Sequence, residues 1–145
     1  MKRFAKHICL ILSLVLLLAI PAQAAENNNA RSSQYFTASA VYLHKTSAKT
    51  FEAWFEVTAT GLMDKIGASE IKIQRSTDNA TWSTVATYSM SDYSSLIRED
   101  AVGHEACVSY TGSSGYYYRA YYKLYAKNEN GTASKTRYSS SIYIS

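Results

Sequence analysis

The chain predicts an all-β protein, an antiparallel β-sandwich of about seven strands over residues 34–145. Three observations carry that expectation. Residues Tyr116 to Lys127 alternate strictly and run into the turn-forming Asn128-Glu129-Asn130-Gly131. Phe51, Ala53, Phe55, Val57 and Ala59 alternate with Glu52, Trp54, Glu56, Thr58 and Thr60, one face for a core and one for water. From Tyr35 onward, short apolar and aromatic runs are separated by turn clusters, and the single proline, Pro21, lies before them all.

The strands follow in order. The first covers Tyr35–Leu43, with Phe36, Ala38, Ala40 and Tyr42 on one face. The second is Phe51–Thr60, and the third is Glu70–Arg75, which buries Ile71 and Ile73. Ser76-Thr77-Asp78-Asn79-Ala80 turns the chain into a fourth at Thr81–Tyr88. The fifth runs over Glu105–Tyr110, the sixth over Tyr116–Lys127 and the seventh over Ser134–Ile144. Met90–Gly103 breaks the pattern: its few aliphatics mix with Arg98, Glu99 and Asp100, which predicts a short helical turn or a long crossing loop. In the sixth strand, Leu124 and Ala126 select the even positions as the core side. Asn128 to Gly131 then fits a four-residue hairpin loop with Gly131 free to take positive φ.

The start of the chain predicts export. Lys2, Arg3 and Lys6 precede an apolar run from Ile8 to Ile20, and Ala22-Gln23-Ala24 supplies small residues for cleavage after Ala24. That run falls short of the roughly 20 residues a spanning helix needs, and no later stretch is apolar enough to span, so the mature chain is expected to have no transmembrane segment. Residues 1–24 are read as a signal peptide and 25–33, polar and Asn-rich, as a disordered lead-in. The leader takes three of the 15 bases and none of the 11 acids, leaving 12 against 11, a net charge of +1. The pI of 9.0 is therefore mostly the leader's and is poor evidence for nucleic-acid binding; with a near-neutral mature charge, nucleic acid is not expected as a partner. Of the two cysteines, Cys9 leaves with the leader and Cys107 stands alone, so no intramolecular disulfide or cysteine metal site is expected. The leader and the sparse cysteines point to a secreted bacterial, Gram-positive protein.

The last third resembles fibronectin type III domains, whose penultimate strand reads Tyr-x-aliphatic-x-Ala-x-Asn-x-x-Gly. Tyr122, Leu124, Ala126, Asn128 and Gly131 occupy those slots, and Ile71 to Asp78 with Thr81-Trp82 look like that fold's third and fourth strands. The resemblance implies that Tyr122 is the tyrosine-corner residue, its hydroxyl bonding backbone upstream. The usual proline-rich start is absent, and the Met90–Gly103 crossover is longer than usual. The chain as a whole also resembles small secreted Gram-positive proteins, which implies no mechanism; this fold mostly serves as an interaction scaffold.

One surface stands out as a binding candidate. The odd positions of the sixth strand, Tyr117, Arg119, Tyr121, Lys123, Tyr125 and Lys127, alternate tyrosine with base on the side away from the core, and Trp54 would extend the aromatic surface. Tyrosine offers area at low entropic cost, and the bases add charge-assisted hydrogen bonds. The partner expected is a protein, a glycan or an anionic cell-wall polymer, and nothing in the spacing calls for a cofactor or a metal. The competing reading is plain cross-strand packing. Arg98-Glu99-Asp100 with His104-Glu105 gathers acids and an imidazole, the makings of a small hydrolase, but the spacing matches no ligand or catalytic motif. Pairing of the last strand with a neighbouring molecule's edge is the remaining alternative.

Overall fold

The computed structural model describes residues 34–145; the expected leader and lead-in lie outside the described residues. The chain is all-β: seven strands form one curled sheet in which every pairing is antiparallel. In chain order they are β1 (Phe36–Lys45), β2 (Thr50–Ser76), β3 (Ser83–Ser89), β4 (Ile97–Thr111), β5 (Tyr116–Asn128), β6 (Gly131–Tyr138) and β7 (Ile142–Ile144). Among the described residues, no helix is long and apolar enough to cross a membrane.

The organising element is β2, 27 residues long, which joins the expected second and third strands into one. Its first part pairs with β1 on one side and β4 on the other; its second part pairs with β3 and β5. The sequence hides this continuity because register breaks opposite β4 between Thr58 and Met63, and opposite β5 between Ala68 and Glu70, interrupt the alternation. Gly67 lies between those breaks at φ 154, where an added Cβ would sit 2.0 Å from the Leu96 carbonyl oxygen. Only glycine lets β2 pass that backbone.

The curl brings the two parts of β2 over a shared core. Phe51, Ala53, Phe55 and Val57 from the first part join Ile71 and Ile73 from the second and Tyr118, Ala120, Tyr122, Leu124 and Ala126 from β5, all buried. The Phe51 and Tyr118 rings stand 5.4 Å apart, and the Tyr122 hydroxyl donates to the Tyr42 carbonyl of β1 at 3.2 Å.

Four expectations are corrected. Phe36 is buried as expected, but beyond it the β1 face that meets the core is Val41 and Leu43, not Ala38, Ala40 and Tyr42, because a register shift between Phe36 and Ala38 flips every later side chain. Of the two readings of Met90–Gly103, the short helical turn is found and the long crossing loop is not. A turn and one 3-10 turn (Ser94–Leu96) drop Leu96 into the core, and β4 begins at Ile97. As an edge strand paired only with β2, β4 needs no regular apolar alternation, and Asp100 takes a left-handed φ of 48 there. The expected seventh strand is two: β6 pairs with the later part of β5 and β7 with its start, Tyr116–Tyr118. Between them, buried Ser139 accepts from the Ala120 N–H through Oγ and donates its own N–H to the Ala120 carbonyl. The β5–β6 connection is also tighter than expected. Asn128 pairs with Gly131, leaving Glu129 and Asn130 as the loop, with Gly131 at φ 138.

Candidate functional site

Inward burial of Tyr118, Ala120, Tyr122, Leu124 and Ala126 turns the odd side chains of β5 outward, as the alternation requires. The ladder that results is packed rather than free-standing. Tyr117 lies 4.9 Å from the Tyr143 ring of β7. Arg119 is held between two rings, 4.4 Å from Trp82 and 4.7 Å from Tyr138, while its Nε donates to Gln74 Oε1 at 2.8 Å. Tyr121 meets Tyr138 edge-on at 5.3 Å, and the Lys72 ammonium lies 5.4 Å from its ring centre. Lys72 is in turn bonded to Glu70 at 2.9 Å, and that hydrogen bond raises its pKa. Tyr125 is half-buried opposite Gly67 and Ser134, whereas Lys123 and Lys127 are exposed.

This face is therefore an array of rings and cations in which most side chains have one place to sit. Each cation–π contact contributes about 0.5–1 kcal/mol at such exposure. Fixed aromatic rings lose little further entropy when a partner docks. The two exposed lysines give the face reach toward negative charge.

Trp54 stands apart from the ladder. It belongs to the first part of β2, stacks on Tyr42 with centroids 6.4 Å apart, and donates its indole N–H to Glu52 at 2.9 Å. The ladder instead pairs with Lys65–Ser76 of β2. Cys107 lies across from Trp54, half-buried; burial, with the nearby Glu52 charge, pushes its thiol up, which disfavours the nucleophilic thiolate.

Tyr122 uses its hydroxyl across the core on Tyr42, eighty residues upstream. Tyr118 makes a more local backbone bond, its hydroxyl accepting from the Ser113 N–H at 2.8 Å. Gly112 allows this, since a Cβ there would come within 2.9 Å of the Tyr118 ring.

Of the acid–imidazole group, Arg98, His104 and Glu105 line one shallow groove with Glu56, while Glu99 and Asp100 do not. His104 Nε2 donates to the Ser95 carbonyl at 2.8 Å, and its ring packs edge-on to Phe55. Glu99 pairs with Lys65 at 3.1 Å, and Glu105 lies directly opposite Glu56. Among the described residues, no group of three His, Cys, Asp or Glu side chains could hold a metal ion.

Sequence reasoning missed the partners that make the ladder rigid: Trp82, Tyr138, Tyr143 and Gln74. One signal was available. Counting back from the Asn128–Gly131 turn sets Tyr138 opposite Tyr121. Trp82 follows the β2–β3 turn, where Asp78 Oδ1 accepts from the Ser76 hydroxyl and from the Ala80 and Thr81 N–H groups. Those bonds hold the Asp78 carboxyl well below the usual range, that from Thr81 most of all. No protein-family model and no curated protein matches the chain.

Proposed function

We propose that the protein is a secreted, non-enzymatic binding module that acts at the outer surface of a bacterial cell through the outward face of β5. In this reading the curled sheet is a fibronectin type III-like sandwich. One layer is β1, the first part of β2 and β4; the other is β3, the second part of β2, β5, β6 and β7. The pairing order and the core shared between the two sets support it. The partner class is a protein, a glycan or an anionic wall polymer, and the fixed aromatic–cationic array suits the last two best.

The observation that carries the reading is Arg119, clamped between Trp82 and Tyr138 in the middle of an array flanked by exposed Lys123 and Lys127. The test is retention on isolated Gram-positive cell walls. Replacing Tyr117, Tyr121 and Tyr125 by serine is expected to abolish retention. Because those rings also pack, the pair Lys123→Glu and Lys127→Glu, both at exposed positions, gives a second variant that keeps the fold. Undiminished retention by the folded variants would remove this face from the reading.

Self-assembly through the last strand is less well supported. Lys135 and Arg137 of edge strand β6 lie opposite buried Leu124 and Tyr122, so they project to the core side at the sheet's margin. Arg137 bonds Ser39 Oγ of β1 at 3.3 Å. Inward charges on an edge strand obstruct the addition of a further strand.

A further inference from the structure

We infer that the groove at the tip of the β2–β3 hairpin is a binding site for an anionic saccharide, a pyranose ring that carries a carboxylate or phosphate. The inference rests on the binding reading above and gives it a ligand chemistry. The groove has a volume of about 340 Å3 and is lined by Arg75, Thr77, Thr81, Trp82, Ser83 and Tyr116, with Ser76 at its base. That is the lower end of the roughly 300–1,000 Å3 range of small-ligand sites, room for one or two sugar rings.

Its chemistry is specific in three respects. First, the Arg75 guanidinium is stacked 4.3 Å from the Tyr116 ring centre, which fixes its plane. Among the described residues it forms no ion pair and donates no side-chain hydrogen bond, so its fork of N–H groups is free for a planar or tetrahedral anion. Asp78 lies in the adjoining turn, but its carboxylate is taken up by Ser76, Ala80 and Thr81 and does not line the groove.

Second, two aromatic rings wall the space. Arg119 covers one face of Trp82 and does not itself line the groove, so the indole meets the groove with its remaining surface. The apolar C–H face of a pyranose packs on such rings, and its hydroxyls need polar partners beside them. Third, the Thr77 hydroxyl lines the groove, and those of Thr81 and Ser83, which donate to Asp78 and to the Arg75 carbonyl, keep lone pairs to accept from sugar hydroxyls. The turn that presents them is pinned by Asp78, which lowers the ordering cost of binding. Trp82 joins the groove to the ladder, since its other contact is Arg119.

The test uses the purified protein carrying Trp54→Phe, so that Trp82 is its one remaining indole, and follows fluorescence during titration. The probes are a glucuronate-containing disaccharide, glucose 6-phosphate, a neutral glucose disaccharide and inorganic phosphate. Saturable change is expected with the anionic sugars, with the neutral sugar weaker by about tenfold or more, as loss of a charge-assisted hydrogen bond implies. Arg75→Gln is expected to bring the anionic sugars down to the neutral level. Which of the two anionic sugars binds more tightly identifies the anion. The inference is overturned if neutral and anionic sugars bind alike, if inorganic phosphate alone binds as tightly as the sugars, or if no probe gives saturable change. The ligand comparison in the Arg75-containing protein stands even if Arg75→Gln fails to fold. Wall retention separates the two claims. Retention that depends on Lys123 and Lys127, with no sugar selectivity, sinks the groove alone; sugar selectivity without retention sinks the wall reading alone.

Discussion

The two parts of β2 line one core, yet the surfaces they turn outward differ in charge and in order. Around the first part, Glu52, Trp54 and Glu56 face out, and Glu105 of β4 lies directly across from Glu56, so two like charges oppose each other. Around the second part, Lys72 and Gln74 sit beside Arg119, Tyr121 and Lys123, and nearly every ring has a neighbour that fixes it. Inward positions are chosen for the core and resemble one another; outward positions are free to differ. On the first surface Trp54 is held by Tyr42 and Glu52; on the second the ordered array runs across several strands.

The sharpest way to break this comparison is through the core it assumes. Phe55→Ala removes a ring from the first part of β2, and Leu124→Ala removes a side chain from β5. Each is expected to cost about 2–5 kcal/mol in denaturant unfolding. A small loss for Phe55→Ala beside a large one for Leu124→Ala would mean that the two parts do not share one interior. Next in size are the buried phenols. Tyr118→Phe leaves the Ser113 N–H without its partner and Tyr122→Phe leaves the Tyr42 carbonyl without one, each expected to cost about 1–3 kcal/mol by the same measurement. If only Tyr118→Phe destabilises, the bridge from β5 to β1 contributes little.

Alkaline stability sharpens the role of that bridge. Burial, and to a lesser extent the Tyr42 and Cys107 charges, pushes the Tyr122 phenol up. The unfolded chain gives up this proton near about pH 10 while the folded chain keeps it, so above that pH the unfolded state binds fewer protons and stability falls as pH rises. Below it, the contribution is complete. Tyr122→Phe is expected to flatten the fall in denaturation midpoint above about pH 10. Tyr88 and Tyr110, also raised by burial, keep part of the slope. An unchanged slope would show that Tyr122 does not contribute to it. The smallest effect concerns the acidic surface. Glu56→Lys places a base against Glu105 and is expected to raise stability by about 0.2–1 kcal/mol without altering wall retention. Weakened retention would move the binding face to the first part of β2.

The β5 alternation was legible because its inward residues are buried by the same shared core along almost the whole strand. The outward list from Tyr117 to Lys127 was legible for the same reason. The clamp around Arg119 was not, since Trp82, Gln74 and Tyr138 come from three other strands or their connections and meet only through pairing register. The β1 face was misread because one shift near Thr37 inverts the pattern, and a period-two reading has no means to count an extra residue. The start of β4 was missed because an edge strand carrying Arg98, Glu99 and Asp100 looks like loop in any local window.

Because β1, β3, β4 and β5 all bond to β2, none of these four ribbons has another place to attach except through β5 to β6 and β7. Most partners lie far apart along the chain, as with Thr50 and Thr111, so closing the loops precedes any reward. Folding is therefore expected to be slow and concerted, with amides in the interior of β2 the last to exchange with solvent. A cut within the segment 59–63 should leave no fragment able to hold its shape, since it severs the spine rather than a limb.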